Sequence, residues 1–297
     1  MLTAYPARRS LLLLLFILAA APVARAGEKF SLEAGVDFTT QYMFRGIFQE
    51  DQGFVGQPWV EASVNLYSSD DAPINSIDFT VGLWNSIHDG PSTAAPGFNG
   101  DWYEADVYAG LTFGLPANFS FDVTYIHLGA PDLVGDDIFA QEWDFTLAYD
   151  DSSLWNIDLP DFTGLQPYIT VAVETDGASD GIGNGGDIYI ELGIAPAFTL
   201  IEHEQYPVTL TVPLTLGFGD GYYEIATPTG IDDDAFGYFD AGMELSAPLA
   251  FMPAETGAWT LTVGMHVLAL GDNTEAINDG DNPDVEVIGS VGISVAF

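Results

Sequence analysis

Beyond its first thirty residues the chain alternates apolar and polar side chains, with a period of two, in segment after segment. The clearest is VEVIGSVGISVAF. Val285, Val287, Val291, Ile293, Val295 and Phe297 fall on one face of it, and Glu286, Ser290, Gly292 and Ser294 on the other. Trp259, Leu261, Val263, Met265 and Val267 alternate in the same way with Thr260, Thr262, Gly264 and His266. So do Val208 to Leu216 with Thr209, Thr211, Pro213 and Thr215, and Phe119 to Tyr125 with Ser120, Asp122 and Thr124. A period of two predicts strands with one apolar face. Further candidates run near 30–45, 57–68, 76–87, 102–114, 140–150, 165–175, 187–200 and 236–249. The total is about twelve strands, each long enough to cross a bilayer at a tilt.

The connectors sort into two kinds. Short ones fall around Asp70–Asn75, Leu115–Asn118, Glu202–Gln205 and Met252–Thr256, and Gly- and Asp-rich longer ones at 89–101, 129–139, 176–187, 219–235 and 271–284. Two break the alternation: 151–164 is long on the short side, and 46–56 is modest on the long side. Short periplasmic turns opposite long outer loops are the signature of an all-β, antiparallel transmembrane β-barrel. A soluble β-sandwich shows the same alternation with its apolar face hidden. Aromatics near strand ends, a polar face of Gly, Thr and acids, and a last strand ending in Phe297 favour the barrel. That terminal residue predicts engagement by the outer-membrane barrel assembly machinery.

Residues 1–26 read differently. Arg8 and Arg9 precede LLLLLFILAAA, and Ala24 and Ala26 occupy the small positions of a cleavage site. This predicts a secretory signal peptide over 1–26 and a barrel over 27–297. There are no cysteines, so no disulfide framework forms.

Charge then changes the picture. Of five basic residues, Arg8, Arg9 and Arg25 lie in the predicted signal peptide. Lys29 and Arg45 remain against all 44 acids, a balance of −42, while the mean hydropathy is +0.19. Such a field repels nucleic acid and attracts cations; adaptation to a salty habitat would produce the same excess. With the apolar face assigned to lipid, parity sends Glu33, Asp37, Glu61, Asp78, Glu104, Asp106, Asp122, Asp144, Glu174, Glu191, Asp240, Glu244 and Glu286 to the lumen, with Arg45 as their one fixed counter-charge. Two carboxylates about 7 Å apart repel by about 2 kcal/mol at an effective dielectric of about 20. Thirteen of them predict a wet, counter-ion-filled interior that prefers cations. Arg45 itself reads either as a salt-bridged residue that pins register or as a constriction residue.

The segment FTTQYMFRGIFQ, with Tyr42, Arg45, Gly46 and Gln49, resembles the first-strand signature of the TorF-type porins, also called the Gcw_chp family. Thr40 and Gln41 stand where that pattern has Ser-Asp. The resemblance implies an outer-membrane barrel with a porin role and without catalytic residues.

Motifs for chemistry are weak. Gly177-Ala178-Ser179-Asp180-Gly181 matches the letters of a nucleophile elbow but lies in a Gly-rich loop rather than between strand and helix. His88, His127, His203 and His266 lack metal-ligand spacing, and the acidic loops at 230–234 and 271–284 read as solvated loops, with weak divalent binding as the alternative. No enzyme, cofactor or metal site is expected. The sequence thus predicts passive, cation-preferring diffusion of ions or small solutes through the bacterial outer membrane, in contact with its lipid and lipopolysaccharide. The rivals are a substrate-specific channel with Tyr67, Trp84 and Tyr108 as an aromatic track, and a non-transporting surface barrel.

Overall fold

The computed structural model describes residues 29–94, 100–133, 138–178, 185–278 and 284–297; the predicted signal peptide lies outside them. In chain order the strands are β1 (Phe30–Thr39), β2 (Tyr42–Phe44), β3 (Ile47–Glu50), β4 (Val55–Ser68), β5 (Ser76–His88), β6 (Trp102–Gly114), β7 (Phe119–Gly129), β8 (Ile138–Tyr149) and β9 (Tyr168–Gly177). There follow β10 (Ile188–Ile194), β11 (Ala197–Ile201), β12 (Val208–Thr211), β13 (Leu214–Asp220), β14 (Glu224–Thr227), β15 (Gly230–Asp233), β16 (Phe236–Pro248), β17 (Ala258–Leu270) and β18 (Val285–Ala296). Two short helices lie in connectors: α1 (Pro91–Ala94) and α2 (Asp272–Ile277).

The wall is a closed antiparallel barrel of twelve staves, with β18 pairing back onto β1. Two staves are interrupted where the sequence reads as continuous strands. Pro196 separates β10 from β11, and Pro213 separates β12 from β13, because proline has no N–H for the ladder. Pro213 still accepts through its carbonyl from the Gly242 N–H, 2.8 Å away. The 151–165 connector runs beside β11: Ala195 N–H donates to Leu165 O, Thr163 N–H to Ala197 O, and Thr199 N–H to Pro160 O.

Register fixes the faces. Val60 pairs with Leu83, Leu83 with Val107, Val123 with Phe145 and Phe145 with Val171. This set is open to the surroundings, with Leu83 45 % and Val107 47 % exposed, and Phe239, Met243, Val263 and Val291 continue it around the ring. Glu61, Gly82 and Tyr108 pair on the opposite face. A closed ring with an apolar outside and no unpaired edge suits hydrocarbon as its solvent. The protein is therefore a barrel of the bacterial outer membrane, and the rim with the short turns faces the periplasm.

One sequence expectation fails at the start of the barrel. The strand expected over 30–45 stops at Thr39, and residues 42–50 form a separate two-stranded hairpin, β2–β3, that pairs with no stave. The outer part of the interior, which the acid count predicts to be wet and filled with counter-ions, is lined by packed aromatics. A cluster of Ile47, Tyr189, Tyr222, Tyr223, Tyr238 and Leu268 packs around this hairpin, and a second joins Tyr42, Val55 and Tyr103. Aromatic bodies with polar tips can fill an acidic interior because each hydroxyl finds a partner.

Candidate functional site in the barrel lumen

The hairpin is a bar laid across the lumen. It leaves the wall at β1, and from its tip the Arg45 side chain reaches β8 and β10, the two neighbours of β9, which stands diametrically opposite β1 in the ring of twelve, while Gly46 lies against Tyr238 of β16. Its turn is Arg45-Gly46, with φ of 51° and 84°, between the paired residues Phe44 and Ile47. Two left-handed residues in a two-residue loop match the twist of a tight hairpin. Gly46 fits that role; Arg45 takes it at a cost of about 1 kcal/mol, offset by what its side chain reaches.

That side chain donates from Nη1 and Nη2 to the two carboxylate oxygens of Glu142, at 2.7 and 2.8 Å, and lies 3.6 Å from Asp144. Its guanidinium sits 4.2 Å from the centre of the Tyr189 ring, and Nη1 also donates to the Tyr222 hydroxyl at 3.2 Å. The Tyr223 hydroxyl donates to Arg45 O, while Asn278, just beyond α2, donates to Gly46 O and accepts from Phe48 N–H. At the hairpin's base Tyr42 donates to Glu104 at 3.0 Å, Gln49 accepts from Tyr103, and buried Glu50 accepts from Ser92 at the start of α1. Of the two readings of Arg45, this is the paired one, with the difference that it pins a hairpin tip rather than a strand. Arg45→Ala leaves Glu142, 1 % exposed, without its counter-charge. Breaking a buried pair from one side costs roughly 3–5 kcal/mol. The expected result is a lower temperature of gel-shift unfolding in detergent; an unchanged midpoint would mean that the pair does not hold the hairpin.

The inward face explains its own composition. Trp59 lies over Gly35, Tyr108 over Gly82, Tyr168 over Gly193 and Tyr238 over Gly217, each an opposed pair on neighbouring staves. A Cβ on Gly35 would stand 2.7 Å from the Trp59 ring. Glycine thus lets a large ring lie flat on the wall instead of crossing the lumen. Gly82→Val would push Tyr108 off the wall and break its 2.9 Å hydrogen bond to Glu61. Single-channel recording should then show a smaller conductance with folding intact.

Each acid assigned to the lumen by parity lies on the inward face by register, but their surroundings differ. Glu33 and Glu61 are opposed on β1 and β4, and Asp78 accepts from Asn65 and Asp122 from Thr112 and Thr124 among the hydroxyls of the periplasmic half. Glu191 accepts from Tyr168 and Tyr189 at 2.6 Å, and Glu286 from Gln41. Glu104 and Glu174, 3 % and 2 % exposed, are enclosed by the outer packing, with Asp106 beside Glu104 on the same face. Asp144 stands by Arg45. Asp37, Asp240 and Glu244 face a cavity of about 420 Å³ beneath the hairpin, with Arg45, His266, Thr262 and Ser290. His266 bridges Asp240 (2.8 Å) and Glu244 (3.4 Å). Of the aromatic track, Trp84 and Tyr108 face inward, but Trp84 packs on Tyr42 and Tyr108 lies flat. Tyr67 pairs with Ile77 on the lipid face, beyond a bulge that flips its parity. Sequence reasoning missed Glu142, which shares its parity with Asp144, and Glu50, which lies in the hairpin.

Two arrangements bear on chemistry. Ser86 Oγ lies 2.7 Å from His88 Nε2, and His88 Nδ1 lies 2.9 Å from Ser92, which donates to Glu50. Ser86 and His88 are fully enclosed, with His88 against the Tyr42 and Tyr103 rings, and the set ties the hairpin base to α1 and β5. His127, paired with Val107, faces lipid without a serine opposite. Among the described residues no group of three or more His, Asp or Glu is arranged to hold a metal ion. Parts of the 177–181 match and of the 271–284 loop lie outside them. The described start of that loop is α2, with Asn273 and Thr274 buried, rather than solvated chain. At the outer rim, burial and then the neighbouring Glu224, Asp233 and Asp220 push the Asp187 carboxyl up, and burial with Asp89 and Asp132 does the same to Asp101.

No family model and no curated protein matches the chain. Among solved structures, an outer membrane channel from Pseudomonas putida F1 aligns at TM-score 0.47 and 11 % identity, covering 94 % of this chain and 98 % of that one. LpxR from Salmonella typhimurium aligns at 0.43 and 10 %, over 89 % and 99 %. The translocator domain of the autotransporter NalP from Neisseria meningitidis aligns at 0.37 and 13 %, over 98 % and 96 %. The likeness is one of barrel architecture, shared by proteins of different work.

Proposed function

We propose that this barrel is a porin that lets ions or small solutes diffuse passively and prefers cations. The observation that carries the reading is the charge of the inward face: thirteen carboxylates, and Glu142 besides, against Arg45, which Glu142 already neutralises. Such a wall favours cations over anions. Asp106 Oδ1, Asp144 Oδ1 and Asp240 Oδ1 are buried without a protein hydrogen-bond partner. Each would cost about 1–3 kcal/mol in a dry interior, and Asp240 lines the cavity beneath the hairpin, which supports water and counter-ions there. The Tyr42, Arg45, Gly46 and Gln49 spacing shared with the TorF-type porins is, on this reading, the signature of the hairpin. The partners are small cations inside the barrel, phospholipid and lipopolysaccharide around it, and the assembly machinery at β18 and Phe297.

The hairpin supports a second reading, a barrel closed at its outer end that does not transport. Proteoliposomes separate the two. Vesicles carrying the barrel should dissipate a potassium gradient; vesicles that hold the gradient would favour the closed barrel.

A further inference from the structure

Among the described residues, the 151–165 connector is the one long segment on the periplasmic rim, and its middle is apolar and uncovered. Leu154 is 68 % exposed, Ile157 45 %, Trp155 40 % and Leu159 40 %. The 69–75 turn on that rim is polar, whereas the 249–257 turn also presents an apolar residue, Phe251, 70 % exposed. The segment is nevertheless built. Asp151, buried, accepts from the Trp155 indole N–H at 2.7 Å and from Gln166 N–H at 2.9 Å. Trp155 meets the Phe162 ring edge-on at 6.2 Å, and 160–165 hydrogen-bonds along β11 as if extending the wall.

We infer that residues 153–159 form a surface for phospholipid at the headgroup–acyl boundary of the periplasmic leaflet. Three observations select lipid as the occupant. The patch is continuous with the apolar exterior through Phe198 and the exposed Ile201 of β11. It lies on the rim where that exterior meets the headgroups. Its indole has its polar edge satisfied by Asp151 and its ring 40 % exposed, the chemistry that favours tryptophan at a membrane interface. The inference rests on the barrel's orientation and not on transport.

The chain has no cysteine, so a single nitroxide label reports cleanly. Ile157→Cys would be labelled in vesicles of phosphatidylethanolamine and phosphatidylglycerol, beside Leu147→Cys on the lipid face of β8 and Asp71→Cys in a polar turn. Collision with oxygen and with a water-soluble nickel chelate would be compared. The oxygen-to-nickel ratio at 157 is expected to approach that at 147 and to exceed that at 71 several-fold. A ratio equal to that at 71 would place the segment in water, and exclusion of both reagents would place it against a second copy or another protein; either overturns the inference. Leu154→Cys provides the same reading should the first variant fail to insert.

Discussion

Removing residues 41–50 and joining β1 to β4 by a short Gly-Ser turn should raise single-channel conductance several-fold. The hairpin pairs with no stave, so the β1–β4 register, from Phe30↔Val64 to Phe38↔Gly56, survives its loss. A two-stranded hairpin has a cross-section of about 5 Å by 10 Å. Barrels of eight strands are filled by side chains, whereas those of sixteen leave an aqueous channel. In a ring of twelve, a bar reaching from β1 to the staves beside β9 takes most of the passage. The packing of Tyr189, Tyr222, Tyr223 and Tyr238 around Ile47 takes much of the rest. Conductance unchanged by the excision would mean that ions bypass the hairpin altogether.

The second large effect is on selectivity. Lysine at both Asp37 and Glu244 should move the reversal potential under a salt gradient toward zero or past it, to anion preference. These carboxylates face the cavity beneath the hairpin, which an ion would cross on the proposed reading. The change replaces two negative charges with two positive ones beside His266, which bridges Asp240 and Glu244. Lysines at Glu104 and Asp106 are expected to unfold the outer packing instead. Glu104 is enclosed and accepts the Tyr42 hydroxyl. A conducting double variant at 37 and 244 with wild-type selectivity would locate the filter elsewhere in the lumen.

The wall was legible in the sequence because a period of two has one solution once the apolar face meets lipid. Parity put Asp37, Asp240 and Glu286 on the face that the strand register also gives them, and the same rule would have added Glu142. It failed where the ladder breaks its own count: the bulge beside Leu66 turns Tyr67 outward. The hairpin was not legible, because Tyr42-Met43-Phe44 continues the alternation of β1 and Arg45 is a poor cue for a tight turn. The residues that usually mark such a turn, Asn or Asp before Gly, are absent. Only Gly46 hinted at it. The enclosure of Glu104, Glu142 and Glu174 was beyond reach too, because the tyrosines that cover them come from strands and loops far apart in the chain.

All of this turns on whether the carboxylates of the inward face act on ions in water. The reversal potential of the unaltered protein in a planar bilayer, under a potassium chloride gradient, asks that question directly. The account predicts a potential of the sign set by potassium passing more readily than chloride. Chloride preference, or no preference at all, would contradict it.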